Sequence, residues 1–451
     1  MSKSLFSEFN KVSAKQWKQK IQYDLQGANY NDTLIWKSNE GIDVKPFYHA
    51  DDFVALPEIS NTKASKWNIC QSIYVADVEK SNLNAIHSIE GGAESILFII
   101  PSEDISVKNV IKNIDLNHIQ IHFKPLFLSE AFIKKLPEKA KIHTDIIGNL
   151  TKTGNFFKNL NHDFQEFGNI VKTTKSFSVD MALYQNTGAN MVQQLAYGLA
   201  HANEYLNHFE NQNKSSVENI KATFNVSVGT NYFFEIAKLR ALRLLWETLA
   251  AEYNTNPNCH IFVSPSKRNK TLYDYNTNML RTTTECMSAV LGGANTICNL
   301  PYDGIYHKTN KFGERISRNQ LLILKHESYF DTVNNPSDGS YYVESLTSQL
   351  AEKALNLFKE IEDQGGFLKQ LKNGTIQRKI KESASKELEQ FNNEEEILVG
   401  TNKYVNPNDQ MKGELELYPF LKTNLRKTLI EPILEKRLTE NLEQKRLKNE
   451  D

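Results

Sequence analysis

Cysteine is scarce. Cys70, Cys259, Cys286 and Cys298 stand far apart in 451 residues with no C-x-x-C pair, which excludes a disulfide framework and points to a reducing cytoplasm. Long apolar runs are missing as well: the strongest, SILFII at 95–100, is much shorter than the roughly 20 residues a membrane-spanning helix needs. The N-terminus, MSKSLFSEFNKVSAKQWKQ, lacks an apolar signal core. Charge of one sign is not in excess, since 53 Lys plus Arg nearly cancel 54 Asp plus Glu, so no overall field draws the chain to nucleic acid or an anionic membrane. No G-x-x-x-x-G-K-[ST] or G-x-S-x-G is present, and no G-x-G-x-x-G follows the first strand; nucleotide-binding and serine-hydrolase readings lack their chemistry.

What is present is a composition of 40% hydrophobic and 24% charged residues, that of a globular protein long enough for a large core. An N-terminal arm comes first. Ser13 with Gln16 forms a capping-box pattern, Trp17, Ile21 and Leu25 step along one helical face, and Gly27 is placed to end the helix. EGIDVKPFY, 40–48, reads as extended because the residue before Pro46 avoids the helical region. From about residue 66, strand-like runs near 67–75, 94–101, 118–124, 142–147, 175–182, 220–227, 259–264 and 295–299 each precede a helix candidate. Eight such units over about 250 residues predict an α/β fold, a (β/α)8 TIM barrel. The expected organisation is an arm over 1–65, the barrel over 66–332 and a helical extension with a C-terminal tail over 333–451.

The clearest helix, NYFFEIAKLRALRLLWETLAAEY, places Phe234, Ala237, Ala241, Leu245 and Leu249 on one stripe, with Glu235/Lys238 and Arg243/Glu247 pairing on other faces. Strand parity turns Ser176, Ser178 and Asp180, and Thr223, Asn225 and Ser227, into the lumen. Barrels usually fill that space with bulky branched residues; small polar ones mean either room for a long polar ligand or an internal hydrogen-bond network. KESASKELEQFNNEEE reads as a solvated face or linker. Leu434, Leu438 and Leu442 form a stripe after Pro432, on a helix that docks or frays.

Chemistry-bearing residues are few. His118 and His122 could share a strand face, but no cysteine or carboxylate set completes a metal site. The glycine pairs of EGGAES and LGGANT suit helix C-caps better than phosphate cradles. At the strand ends that form a barrel's mouth, Asp303 is the ionisable residue this reading finds, so the paired carboxylates of a glycosidase are lacking.

Several segments together resemble the adenosylcobalamin-dependent methylmalonyl-CoA mutases: NEGIDVKPFY (39–48), YQNTGANMVQQLAYGLAHANEYL (184–206), GTNYFFEIAKLRALRLLWETL (229–249), LRTTTECMSAVLGGANTI (280–297), ERISRNQLLILKHES (314–328) and NNPSDGSYYVESLTSQLAEKA (334–354). They follow the family's order over roughly 39–404. The resemblance implies a barrel threaded by the coenzyme A arm and a radical interconversion of (R)-methylmalonyl-CoA and succinyl-CoA, with adenosylcobalamin carrying the hard chemistry.

Departures from the catalytic pattern shape the expectation. The cobalt-ligating D-x-H-x-x-G context surrounds none of the eleven histidines. The family's substrate-carboxylate arginine aligns with Lys221, which keeps charge but loses the bidentate fork. The glutamine of its Y-H-M-Q-E-A-G motif remains as Gln185, its His-Thr-Asn tripeptide aligns with Cys298, Asn299 and Leu300, and no R-G-P-Y-P-type segment lies between Tyr48 and Trp67. Its catalytic histidine aligns with Phe262. The pattern is similar to the family's small, or beta, subunit. It implies a chain with no catalytic or metal-ligating residues of its own, vestigial substrate contacts at Gln185 and Lys221, and a large (alpha) subunit as partner, holding the cofactor and taking the acyl-CoA. The alternatives are a competent acyl-CoA mutase barrel that borrows a cobalamin domain from another chain, and a stand-alone scaffold barrel.

Overall fold

A computed structural model describes residues 7–55, 60, 62–212, 218–423 and 425–450; expectations on the remaining residues, including parts of the arm, lie outside the described ones. Eight strands are β1 (Asn68–Tyr74), β2 (Ser95–Ile100), β3 (Gln120–Pro125), β4 (Lys141–Ile142), β5 (Ser176–Asp180), β6 (Lys221–Val228), β7 (Cys259–Pro265) and β8 (Thr296–Ile297). All neighbours pair parallel, and β8 pairs with β1, so first and last strands meet as a TIM barrel requires.

The remaining seam, between β4 and β5, is joined differently. Ser178 Oγ donates to the Thr144 carbonyl at 3.0 Å, and the Asp180 N–H donates to Asp145 Oδ2 at 2.7 Å. A strand over 142–147 is not found: β4 stops at Ile142, and the helix Ile146–Thr153 begins where Asp145 accepts from the Gly148 N–H at 2.7 Å. The N-cap overrides the β-branched run, because a capped first turn satisfies donors that a strand would leave to a partner. Asp145 also accepts from Tyr205 Oη at 2.6 Å and bonds His201 Nε2 at 2.9 Å, fixing this seam to the surrounding helices.

Outward faces carry the core. Phe177 and Phe224 meet Trp246 edge-on at 6.1 and 5.5 Å between ring centroids. The helix Tyr232–Glu252 buries the whole predicted stripe, Phe234, Ala237, Ala241, Leu245 and Leu249. Its charged pairs depart from expectation. Glu235 and Lys238 are both buried, bridged at 2.6 Å, and Arg243 turns from Glu247 to the carbonyls of Cys259 and Gly293.

The arm attaches by aromatic contacts and by Ile42 and Ala64, which are fully buried in the main core. The Ser13–Gln16 capping box forms at the head of the helix Ala14–Asp24, which buries no residue; Trp17 touches Phe47 at 6.4 Å. A two-stranded hairpin, Trp36–Lys37 with Asp43–Val44, brings Trp36 onto Phe234, and Tyr48 stacks near Tyr342. Beyond the barrel, the helix Tyr341–Asp363 lies along the Tyr232–Glu252 helix. The stretch read as a solvated face or linker, 381–396, begins as the second half of a helix, Thr375–Asn392, and its helical part is exposed or half-buried apart from Phe391; Ile376 and Ile380, earlier on the helix, are buried. Leu438 docks against Phe391 and Leu398, but the last helix starts only at Glu440, so Leu434 and Leu438 precede it in irregular chain.

Candidate functional site

Parity holds inside the barrel. Ser178 and Asn225 bond inward partners, while Phe177, Val179, Phe224 and Val226 join the outer core. The middle of the lumen is filled by side chains. Phe262 packs with Cys70, Leu97 and Cys298, and its ring stands edge-on to His122 and His143, each at 5.1 Å. His122 Nδ1 and His143 Nε2 share a hydrogen bond of 2.9 Å, and His143 Nδ1 reaches Asn225 Oδ1 at 2.7 Å. His260, lower on β7, bonds Thr296 Oγ1 at 3.1 Å. Burial holds all three imidazoles well below their ordinary range, His143 at about 4, so this layer is neutral at pH 7. Of the two readings left open by the polar lumen, the middle layer is the internal network.

The residues singled out from the sequence lie at three levels. Phe262 is at the centre. Lys221, the first residue of β6, sits exposed at the floor beside a cavity of about 890 Å³ that Lys139, Lys141, Thr223 and His260 also line. Burial, then the nearby Lys221 charge, depresses the Lys141 ammonium. Gln185 follows β5 at the opposite, mouth end. Its amide donates to Glu235 Oε1 at 3.0 Å and accepts from Lys238 Nζ at 2.8 Å, so it completes a buried ion pair. The fold therefore does not bring Gln185 and Lys221 together. His118 and His122 also part company, His118 lying exposed on Asp115 and His122 in the lumen.

At the mouth the sequence reading missed a pair. Lys124 Nζ contacts Asp180 Oδ2 at 2.9 Å across the β3–β5 gap. Burial alone pushes the Asp180 carboxyl up, but the charge and hydrogen bond of Lys124 outweigh it and leave it below its usual value. Lys124 shares the lumenal parity of His122, a signal available in HFKP. Asp303, the ionisable residue expected there, is instead tied to Asn310 and His307.

Above these residues the mouth is covered by the chain's own C-terminal segment. The N–H groups of Glu416 and Leu417 donate to the Tyr306 carbonyl, Ile433 to Thr151, Lys436 to Asn186 and Leu438 to Arg268, at 2.8 to 3.1 Å. These acceptors follow β8, β4, β5 and β7, so the segment spans half of the mouth loops. Arg268 returns a bond to the Lys436 carbonyl at 2.8 Å, and Arg437 is locked to Glu443 at 2.5 Å and to the Lys270 carbonyl at 2.9 Å. The cobalamin implied by the resemblance does not fit this surface. Residues 416–423 and 425–438 bridge the loops after β4, β5, β7 and β8, and the lumenal imidazoles beneath them are packed against Phe262, which leaves no open face for a large planar cofactor there.

The family model described as methylmalonyl-CoA mutase matches residues 133–448. A Porphyromonas gingivalis protein described as methylmalonyl-CoA mutase small subunit is 33% identical over 439 residues, spanning 89% of this chain and 71% of that one. A Streptomyces virginiae protein of the same description is 28% identical over 89% of this chain and 72% of its own length. A Rhizobium meliloti methylmalonyl-CoA mutase is 28% identical over 84% of this chain, which spans only 62% of that protein.

Proposed function

This chain belongs to the methylmalonyl-CoA mutase family, and on that premise we propose that it is the non-catalytic small (beta) subunit of a heterodimeric mutase. The observation that carries the proposal is the filled axis of the barrel, with Phe262 wedged between His122 and His143 and residues 416–423 and 425–438 bridging half of the mouth loops. Barrel enzymes work at the C-terminal ends of their strands; here half of the loops at that end are bridged by the chain itself. An aromatic ring at position 262 cannot donate a hydrogen bond to a thioester carbonyl, and no neighbour in that layer is charged at pH 7. Adenosylcobalamin, when bound, supplies the radical that rearranges the carbon skeleton; it and the acyl-CoA are assigned to the large (alpha) subunit. Gln185 and Lys221 then serve as structural and floor residues in this chain, relics of substrate contacts made elsewhere.

The arm, 1–65, is the proposed subunit contact, with the barrel at 66–332 and the extension at 333–451. Its helix buries none of its residues in this chain, and Trp17 and Tyr23 are exposed, so a partner surface would supply the missing burial. Names of small-subunit relatives support a large partner, and a cytoplasmic setting suits four free cysteines.

The test is to purify the full chain alone and together with a mutase large subunit, then assay both with adenosylcobalamin and methylmalonyl-CoA. A stable complex with turnover only when the large subunit is present is expected. Turnover by this chain alone would favour the reading as a competent barrel, and failure to bind any mutase large subunit would favour the scaffold reading.

A further inference from the structure

The first and last strands of the barrel carry facing thiols. The ladder sets Thr296 beside Asn68 and Ile297 beside Ile69, so the next pair in register is Cys298 beside Cys70. Both belong to the lumenal cluster with Leu97 and Phe262, and the two thiols lie within hydrogen-bonding reach of each other. Neither is bridged. Neighbouring strands run about 4.8 Å apart, inside the range of Cα separations that a disulfide spans, and the concave side of a barrel draws side chains of adjacent strands together. The other two cysteines are placed differently: Cys286 contacts Asn299 at 3.5 Å, and Cys259 lies beside Arg243.

We propose that Cys70 and Cys298 form a reversible disulfide that staples β8 to β1 under oxidising conditions. The oxidant is a peroxide. One thiolate attacks a peroxide oxygen to give a sulfenic acid and release water; the second thiolate attacks that sulfur, forming the S–S bond and releasing a second water. Two thiols thus lose two electrons and two protons, and hydrogen peroxide is reduced to two waters.

The strand that must open for this chemistry is one of the two shortest in the barrel. β8 holds only two ladder positions on each side, and Cys298 lies just past its end, so local opening exposes the pair at far less cost than global unfolding. In the closed barrel burial raises the Cys70 thiol and keeps it protonated, which holds the pair reduced until the strand opens. Cross-linking then fastens the ladder that joins the first strand of the barrel to the last, across a loop of more than two hundred residues.

The experiment treats the full chain with hydrogen peroxide and maps tryptic peptides before and after dithiothreitol. The expected result is a loss of 2 Da, a Cys70–Cys298 linked peptide that dithiothreitol releases, and about tenfold slower hydrogen exchange in β8. The Cys259→Ser/Cys286→Ser variant should keep the link and Cys298→Ser should lose it. Linkage through Cys259 or Cys286, oxidation only to sulfinic acid, or no reaction of the wild-type chain at concentrations that oxidise an exposed thiol would each overturn the proposal. The wild-type peptide map decides the matter even if a serine variant folds poorly.

Discussion

The ring of Phe262 stands 5.1 Å from that of His122, edge to face at 61°. This ring, with Cys70, Leu97 and Cys298 around it, thus fills the axis of the barrel at the level of His122 and His143. Phe262→Ala should leave a cavity there and destabilise the chain by about 3–5 kcal/mol, as large-to-small changes at packed aromatics do. Urea denaturation checks this, and an unchanged midpoint would mean that the lumen collapses freely.

Acid should weaken the fold through the same layer. His122, His143 and His260 have folded-state values below the unfolded one of about 6.5. The unfolded chain therefore binds more protons once pH drops beneath that value, so stability falls as pH drops below about 6.5 and is unaffected by this layer well above it. For His143 alone, a shift from 6.5 to about 4 corresponds to about 3 kcal/mol at full expression. Urea midpoints at pH 7.5 and 5.0 measure the effect, and replacing His143 with Asn should reduce the difference by that residue's share.

The buried Glu235–Lys238 pair at 2.6 Å, bracketed by Gln185, gives a cycle. Glu235→Gln leaves an ammonium without its counter-charge and should cost about 3–5 kcal/mol. Glu235→Gln combined with Lys238→Met should recover much of that loss. Additive costs in the double variant would show that the two side chains act independently.

Arg437 anchors the segment over the mouth, bonding Glu443, Thr439 and the carbonyls of Lys270 and Pro419. Arg437→Ala should free that segment before the barrel itself opens. Limited proteolysis is expected to cut within 416–438 while leaving a barrel-sized fragment, and simultaneous loss of both would mean that the segment and barrel unfold as one unit.

Much of this was legible in the sequence because it is periodic. Alternation marked which side chains of β5 and β6 point inward, and the stripe from Phe234 to Leu249 marked its buried face correctly. The misses share a cause. Asp145 caps a helix where β-branched residues suggested a strand, and Glu235 with Lys238 resembles a solvent pair because i,i+3 spacing says nothing about which face a neighbour covers. Lys124 and Asp180 lie 56 positions apart and meet only through the closure of the barrel.

The sequence by itself determined the eight alternating units, the family, and the aromatic residue at position 262, since each is written in local pattern or colinear likeness. Only the tertiary structure decided that Gln185 and Lys221 lie at opposite ends, that residues 416–423 and 425–438 bridge half of the mouth loops, and that Cys70 faces Cys298. Those relations join positions far apart in the chain, and burial and register, which no local propensity encodes, bring them together.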